Sequence, residues 1–135
     1  FYAPGFAVRD YSTSEGIMLE QFKGKYLVLD FWATWCSGCV QVLPDFVDFQ
    51  EKMKDKPVEI LSVACMSNEA YFTKLREKYG LNWLHAWQAQ PVGIINDYQV
   101  SGYPIYFLIG PDGKILNRTL ALEEIEETLM AHMQK

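Results

Sequence analysis

The sequence predicts an α/β protein in which helices flank a central mixed β-sheet, with a short β extension at the N-terminus. Three observations predict it. Residues 27–39 (LVLDFWATWCSGC) are an apolar run that ends in a turn and passes into helical spacing. Residues 59–64 (EILSVA) are a second apolar run, and the stretch between the two has helical periodicity. Strand, helix and strand in that order form a crossover unit with parallel strands, right-handed by default. Finally, residues 105–109 and 114–118 flank Pro111-Asp112-Gly113. This is a hairpin signature, and it adds antiparallel strands to the same sheet.

Each element has a local reason. Phe6 and Val8 suggest a short strand and residues 17–19 a second, with Ser12-Thr13-Ser14-Glu15-Gly16 as the turn between them. Lys23-Gly24-Lys25 is a polar turn into the central strand. That strand, residues 26–31, is apolar except for Asp30, and β-branched Val28 suits a buried parallel strand. Residues 37–54 read as one long helix. Val40, Leu43 and Val47 form one stripe; Val42, Phe46, Phe49 and Met53 form an adjacent one. The wide apolar face predicts a largely buried helix. Pro44 lies inside it and is expected to kink it by removing a hydrogen bond.

After the 59–64 strand, Ser67 or Asn68 can cap a helix through Tyr79. Phe72, Leu75 and Tyr79 mark its buried side and Gly80 its stop. Residues 82–86 read as a short strand, and Pro91 opens a brief helix through Tyr98. The last helix spans residues 122–133. Leu122, Ile125, Leu129 and Met133 face inward, and Glu123, Glu124, Glu126 and Glu127 occupy its first turns, where the helix dipole favours them.

At 135 residues, half of them hydrophobic, the chain is sized for one domain with an ordinary core. A net charge of −5 and no basic stripe argue against nucleic acid as a partner. No run reaches transmembrane length, and no signal peptide is recognisable. The chain opens on Phe1 without a methionine, which reads as a processed product or an excised domain. Three cysteines are too few for a disulfide scaffold.

The chemistry concentrates at Cys36 and Cys39. Cys36 falls at the strand-to-helix turn, where the first backbone N–H groups and the helix dipole favour negative charge on sulfur. Two cysteines three apart across a helix start can meet the Cα separation of about 4.4–6.8 Å that a disulfide requires. The outer sulfur then attacks a substrate disulfide and the inner one resolves the mixed disulfide. The competing reading is half of a zinc site. Zinc usually takes four ligands, and the remaining candidates, Cys65, His85 and His132, are not paired by spacing. No metal and no cofactor are expected.

WATWCSGC resembles the active-site segment of the thioredoxin superfamily. More closely, the chain resembles the TlpA/ResA-like thiol-disulfide oxidoreductases. Ala3-Pro4-Gly5-Phe6 is similar to that family's opening APxF, and LEQFKGKY at residues 19–26 to its entry into the central strand. Gly102-Tyr103-Pro104, Tyr106-Phe107-Leu108-Ile109 and Pro111-Asp112-Gly113-Lys114 are similar to its G-x-P…FLID-x-x-G-K segment. The resemblance implies a thioredoxin-like fold across residues 1–135. It makes Cys36 the nucleophile, Cys39 the resolving cysteine and Pro104 the cis-proline facing them. Tyr103 then borders a substrate groove, or alternatively packs on the sheet as a turn residue.

Asp30 stands where thioredoxins carry a buried acid. An unpaired carboxylate in an apolar strand stays protonated more readily, and near Cys39 it can take or return a proton. The bland alternative is a carboxylate satisfied by backbone hydrogen bonds. Trp35 is expected against the site as an apolar contact surface, or alternatively as packing alone, and Trp32 in the core. Ser37 and Gly38 depart from the relatives that carry proline in the second of these places. That leaves the potential unassigned within a superfamily range of about −270 to −120 mV. Cys65 reads as a small buried hydrophobe or as a third thiol near the site. His85 reads as packing or surface, and His132 as a favourable residue near a helix end.

The expected function is reduction or exchange of disulfides in protein substrates, in the periplasm or bacterial cell envelope. A membrane-bound electron donor would supply the electrons, and the protein would act as a monomer. Two alternatives stand beside it. One is a peroxiredoxin-like peroxidase, whose cysteine follows a Thr or Ser three residues earlier; Ala33 precedes Cys36 there. The other is a non-enzymatic Cu(I)-binding assembly protein, which has wider cysteine spacing and a placed histidine.

Overall fold

The computed structural model describes residues 1–134. Five strands form a mixed sheet in the order β5-β4-β3-β6-β7. They are β3 (Tyr26–Trp32), β4 (Val58–Cys65), β5 (Leu84–Gln88), β6 (Ile105–Ile109) and β7 (Ile115–Thr119). β3, β4 and β5 are parallel, β6 pairs antiparallel with β3, and β7 pairs antiparallel with β6. β1 (Ala7–Arg9) and β2 (Gly16–Met18) form a separate hairpin, which reaches the β5 edge through a bridge between Asp10 and Ala86. A 3-10 turn, Leu19–Phe22, then leads toward β3. It takes in Leu19, which the sequence placed in the second strand.

The helices cover both faces of the sheet. They are α1 (Ser37–Gln41), α2 (Leu43–Met53), α3 (Glu69–Tyr79), α4 (Ile94–Asp97) and α5 (Leu122–Met133). Val28 and Leu108 pack under α2 and α5 through Phe46, Phe49, Leu122, Ile125 and Leu129. Leu29, Phe31, Val63 and Phe107 pack on the other side against Ile94, Ile95 and Tyr98 around α4 and against Val8 and Ile17 of the hairpin. Because both faces are covered, every residue of β3 after Tyr26 is buried. This is why an apolar run without alternation specifies the central strand.

Further elements depart from the sequence reading: the strand expected at 82–86 is Leu84–Gln88, and the helix expected to open at Pro91 is Ile94–Asp97, with Gly93 at its cap. Residues 37–54 are two helices rather than one kinked helix, and the break falls at Val42. Pro44 lies in the first turn of α2. There its missing N–H falls where an N–H would have no intrahelical partner. The break leaves α1 as a short helix on its own beside the two cysteines. Asn68 caps α3 by accepting the Tyr71 N–H at 2.8 Å, and Gly80 ends it in the left-handed conformation at φ 66°.

Candidate active site

The site forms at the carboxyl ends of the parallel strands. Cys36 is four residues beyond the end of β3 and is the N-cap of α1, with φ −95° and ψ 109°. Its Sγ accepts the Cys39 backbone N–H at 3.2 Å, the position a serine or aspartate oxygen fills in an ordinary helix cap. The same thiol donates to the Tyr103 carbonyl oxygen at 3.5 Å. Cys36 therefore sits between α1 and the segment that enters β6. The Tyr103–Pro104 peptide bond in that segment is cis.

The two thiols differ in access. Cys36 is partly exposed and Cys39 is buried, and both are thiols in this structure. Burial pushes the Cys39 pKa well above the usual thiol range. The hydrogen bond with Cys36 and negative charge on Cys36 and Asp30 push it further, while a backbone hydrogen bond with Ala33 acts the other way. An exposed sulfur that a substrate reaches and a covered sulfur behind it suit a two-step exchange.

Asp30 lies on β3 and is buried, with Ser62 of β4 directly across in the parallel register. Burial pushes its carboxyl up from 3.8 to about 7, against the lowering effect of a hydrogen bond from Ser62. The Ser62 hydroxyl donates to Asp30 Oδ2 at 2.6 Å, and Trp83 Nε1 donates to Ser62 Oγ at 2.8 Å. The carboxyl is thus satisfied by a side chain rather than by the backbone. Sequence reasoning missed Ser62 and Trp83. The available signal was Ser62 itself, a polar residue inside the apolar run EILSVA.

Trp35 is 62% exposed, yet it is fixed. Its Nε1 donates to the Met66 carbonyl at 3.0 Å, and the Tyr103 ring meets it edge to face at a centroid distance of 5.6 Å. The loop beneath is stitched across two strand ends. The Thr34 N–H donates to Ser67 Oγ at 2.9 Å, and the Asn68 N–H donates to Thr34 Oγ1 at 3.0 Å. Trp35 and Tyr103 thus pack on one another, and the Tyr103 carbonyl takes the Cys36 thiol.

The remaining candidates make no hydrogen bond with either thiol of the pair. Cys65 is fully buried among Phe31, Val63 and Ile105 on the sheet face away from Asp30, and its thiol donates to the Val63 carbonyl at 3.3 Å. Burial pushes it up to about 12, while a hydrogen bond with the Tyr103 side chain acts the other way. His85 is packed between Phe72 and Trp83, and burial lowers its pKa to about 4, so the imidazole is neutral. His132 occupies the last turn of α5. Among the described residues, no three metal-binding side chains gather.

A model of a thioredoxin-like family matches residues 24–115, from the turn before β3 into β7. The chain belongs to the thioredoxin-like family. It is 33% identical over 133 residues to the thiol-disulfide oxidoreductase ResA of Bacillus cereus, covering 98% of this chain and 75% of that one. Among solved structures it is similar to the thioredoxin domain of a thiol-disulfide oxidoreductase from Bacteroides vulgatus. That match has a TM-score of 0.85 and 27% identity, over 98% of this chain and 95% of the other. A thiol:disulfide interchange protein from Bacteroides sp. matches with a TM-score of 0.83 and 25% identity, over 99% and 89% of the two chains. This thioredoxin-like protein is a thiol-disulfide oxidoreductase, and its cysteine pair is the C-x-x-C of residues 36–39.

Proposed function

We propose that the protein reduces disulfides in protein substrates, with Cys36 as nucleophile, Cys39 as resolving thiol and Asp30 as the proton acceptor for Cys39. The observation that carries this reading is the asymmetric pair at the N-terminus of α1. The outer sulfur is held by the Cys39 N–H and the Tyr103 carbonyl, and the inner one is buried where the charge of Asp30 acts on it.

The steps balance. The Cys36 thiolate attacks one sulfur of the substrate disulfide, the substrate S–S bond breaks, and one substrate thiolate leaves and takes a proton. Cys36 is now in a mixed disulfide. Its negative charge is gone, and with it a contribution that holds the Cys39 proton in place. Cys39 passes its proton to the Asp30 carboxylate and attacks the Cys36 sulfur. The mixed disulfide breaks, the second substrate thiolate leaves and is protonated, and the Cys36–Cys39 disulfide closes. Two electrons have moved from enzyme to substrate.

Trp35, Tyr103 and Pro104 form the substrate-facing wall, and an extended peptide segment can lie against the Tyr103 backbone. The family resemblance supports a bacterial envelope location, a membrane-bound electron donor and a monomer. Residues 1–135 act as one thioredoxin-like domain. Insulin reduction with dithiothreitol tests the assignment. Cys36→Ser is expected to fall to the uncatalysed rate, and Cys39→Ser to accumulate a mixed disulfide at Cys36. A Cys36→Ser protein as fast as the wild type would overturn it.

A further inference from the structure

We propose that Ser62, oriented by Trp83, is the residue that positions Asp30 and keeps its carboxylate available to Cys39. This rests on the reading of Asp30 as proton acceptor and adds two residues to it. The argument starts from hydrogen-bond direction. An indole N–H donates and never accepts. Trp83 therefore occupies a lone pair of Ser62 Oγ, at 2.8 Å. The hydroxyl keeps its proton and one more lone pair, and for the buried proton the one acceptor among the described residues is Asp30 Oδ2, at 2.6 Å. A free serine would rotate to serve either form of the acid. Turning this one to accept would leave its buried proton without a partner, so it donates, and a donor favours the ionised carboxylate.

The chain is held from behind. The Trp83 ring stacks on Phe46 at 5.4 Å and packs against His85 at 5.1 Å. Ser62 is fully buried and is aligned with Asp30 on one side and with His85 of β5 on the other. Among the described residues, Ser62 is the one side chain that donates to Asp30.

The other titratable groups around this carboxyl, on either face of the sheet, do not substitute for it. From α1, Cys39 and Cys36 bring negative charge when ionised. From β6, burial and the charge of Asp30 push the Tyr106 phenol above its usual range, so it is neutral. Cys65, at the end of β4, is likewise pushed up, and His85 of β5 is neutral. α2 presents Phe46, and Glu123 of α5 acts on Tyr106.

The test compares Ser62→Ala, Ser62→Thr and Trp83→Phe with the wild type and with Asp30→Asn. Two readouts are used: the pH profile of insulin reduction, and the 13C titration of the Asp30 carboxyl in the dithiol protein. In Ser62→Ala, the Asp30 midpoint and the rising limb of activity are expected to move up together by about one to two pH units. A move of one unit from about 7 leaves about a fivefold loss at pH 7 and near-recovery at pH 9. Trp83→Phe is expected to move both in the same direction by less, and Ser62→Thr to restore them. A Ser62→Ala midpoint that superimposes on the wild type would overturn the inference. An Asp30→Asn protein that keeps the rising limb would instead overturn the proton-acceptor reading, and the carboxyl titration would still decide the role of Ser62.

Discussion

Replacing Asp30 with asparagine should make the protein more stable and less active, and the gain should depend on pH. The carboxyl titrates at 3.8 when free and at about 7 in the fold. The folded state therefore binds more protons than the unfolded one between these values. Stability from this group is fully present below about pH 4 and is lost as pH rises to about 7. The difference corresponds to about 4 kcal/mol as an upper figure. His85 acts with the opposite sign. Its pKa falls from 6.5 to about 4, so its contribution to stability rises with pH across that interval. The two groups largely offset each other in the wild type, whose own pH profile should be shallow.

The useful quantity is the difference between the wild type and Asp30→Asn. Burial, the Leu81 carbonyl, Arg76 and Asp10 set the His85 titration, so its contribution cancels in the subtraction. Urea unfolding of both proteins at pH 4.5–8, kept reduced, supplies it. Asp30→Asn should gain about 2–4 kcal/mol on the wild type between the lowest and highest pH, while its turnover at pH 7 falls by about 100-fold. A difference that stays constant over the whole range would refute the argument.

The other predictions concern parts of the site and fold that vary independently. Iodoacetamide should label Cys36 in the folded dithiol protein and reach Cys65 only after unfolding, as mass mapping would show; rapid native labelling of Cys65 would contradict its place in the core. Tyr103→Ala removes the edge-to-face contact with Trp35, worth about 0.5–1.5 kcal/mol. It should raise KM for a disulfide-containing protein substrate by about two- to tenfold. Asn68→Ala removes the cap of α3 and should cost about 1 kcal/mol in urea unfolding, with turnover much less affected.

The sequence showed the frame of the protein more clearly than its joints. β6 and α5 were legible to the residue, because a Pro-Asp-Gly turn and a clear run of inward-facing apolar positions bound them. The C-x-x-C pair, and Asp30 as a lone acid in an apolar strand, were equally visible. The break at Val42 was not. The apolar spacing runs straight through it, and a proline that starts a helix looks the same in sequence as one that kinks it. Ser62 was hidden for a different reason. Its importance comes from cross-strand register with Asp30, which no local pattern encodes. Trp83 lies beyond the sheet partner in sequence and joins the site only through the fold. Cys65 looked close to the site because its strand ends there; the alternation of the strand turns it to the face opposite Asp30, where it meets the Tyr103 side chain.

The central claim is that one reversible dithiol couple, Cys36–Cys39, carries the activity. Its most direct test is a redox titration against dithiothreitol with mass mapping of the thiols at each potential. The account predicts a single two-electron transition, about 30 mV per tenfold change in the ratio of the two forms, with a Cys36–Cys39 crosslink on the oxidised side and Cys65 free throughout. A transition that places Cys65 in the bridge, or no reversible transition at all, would contradict it.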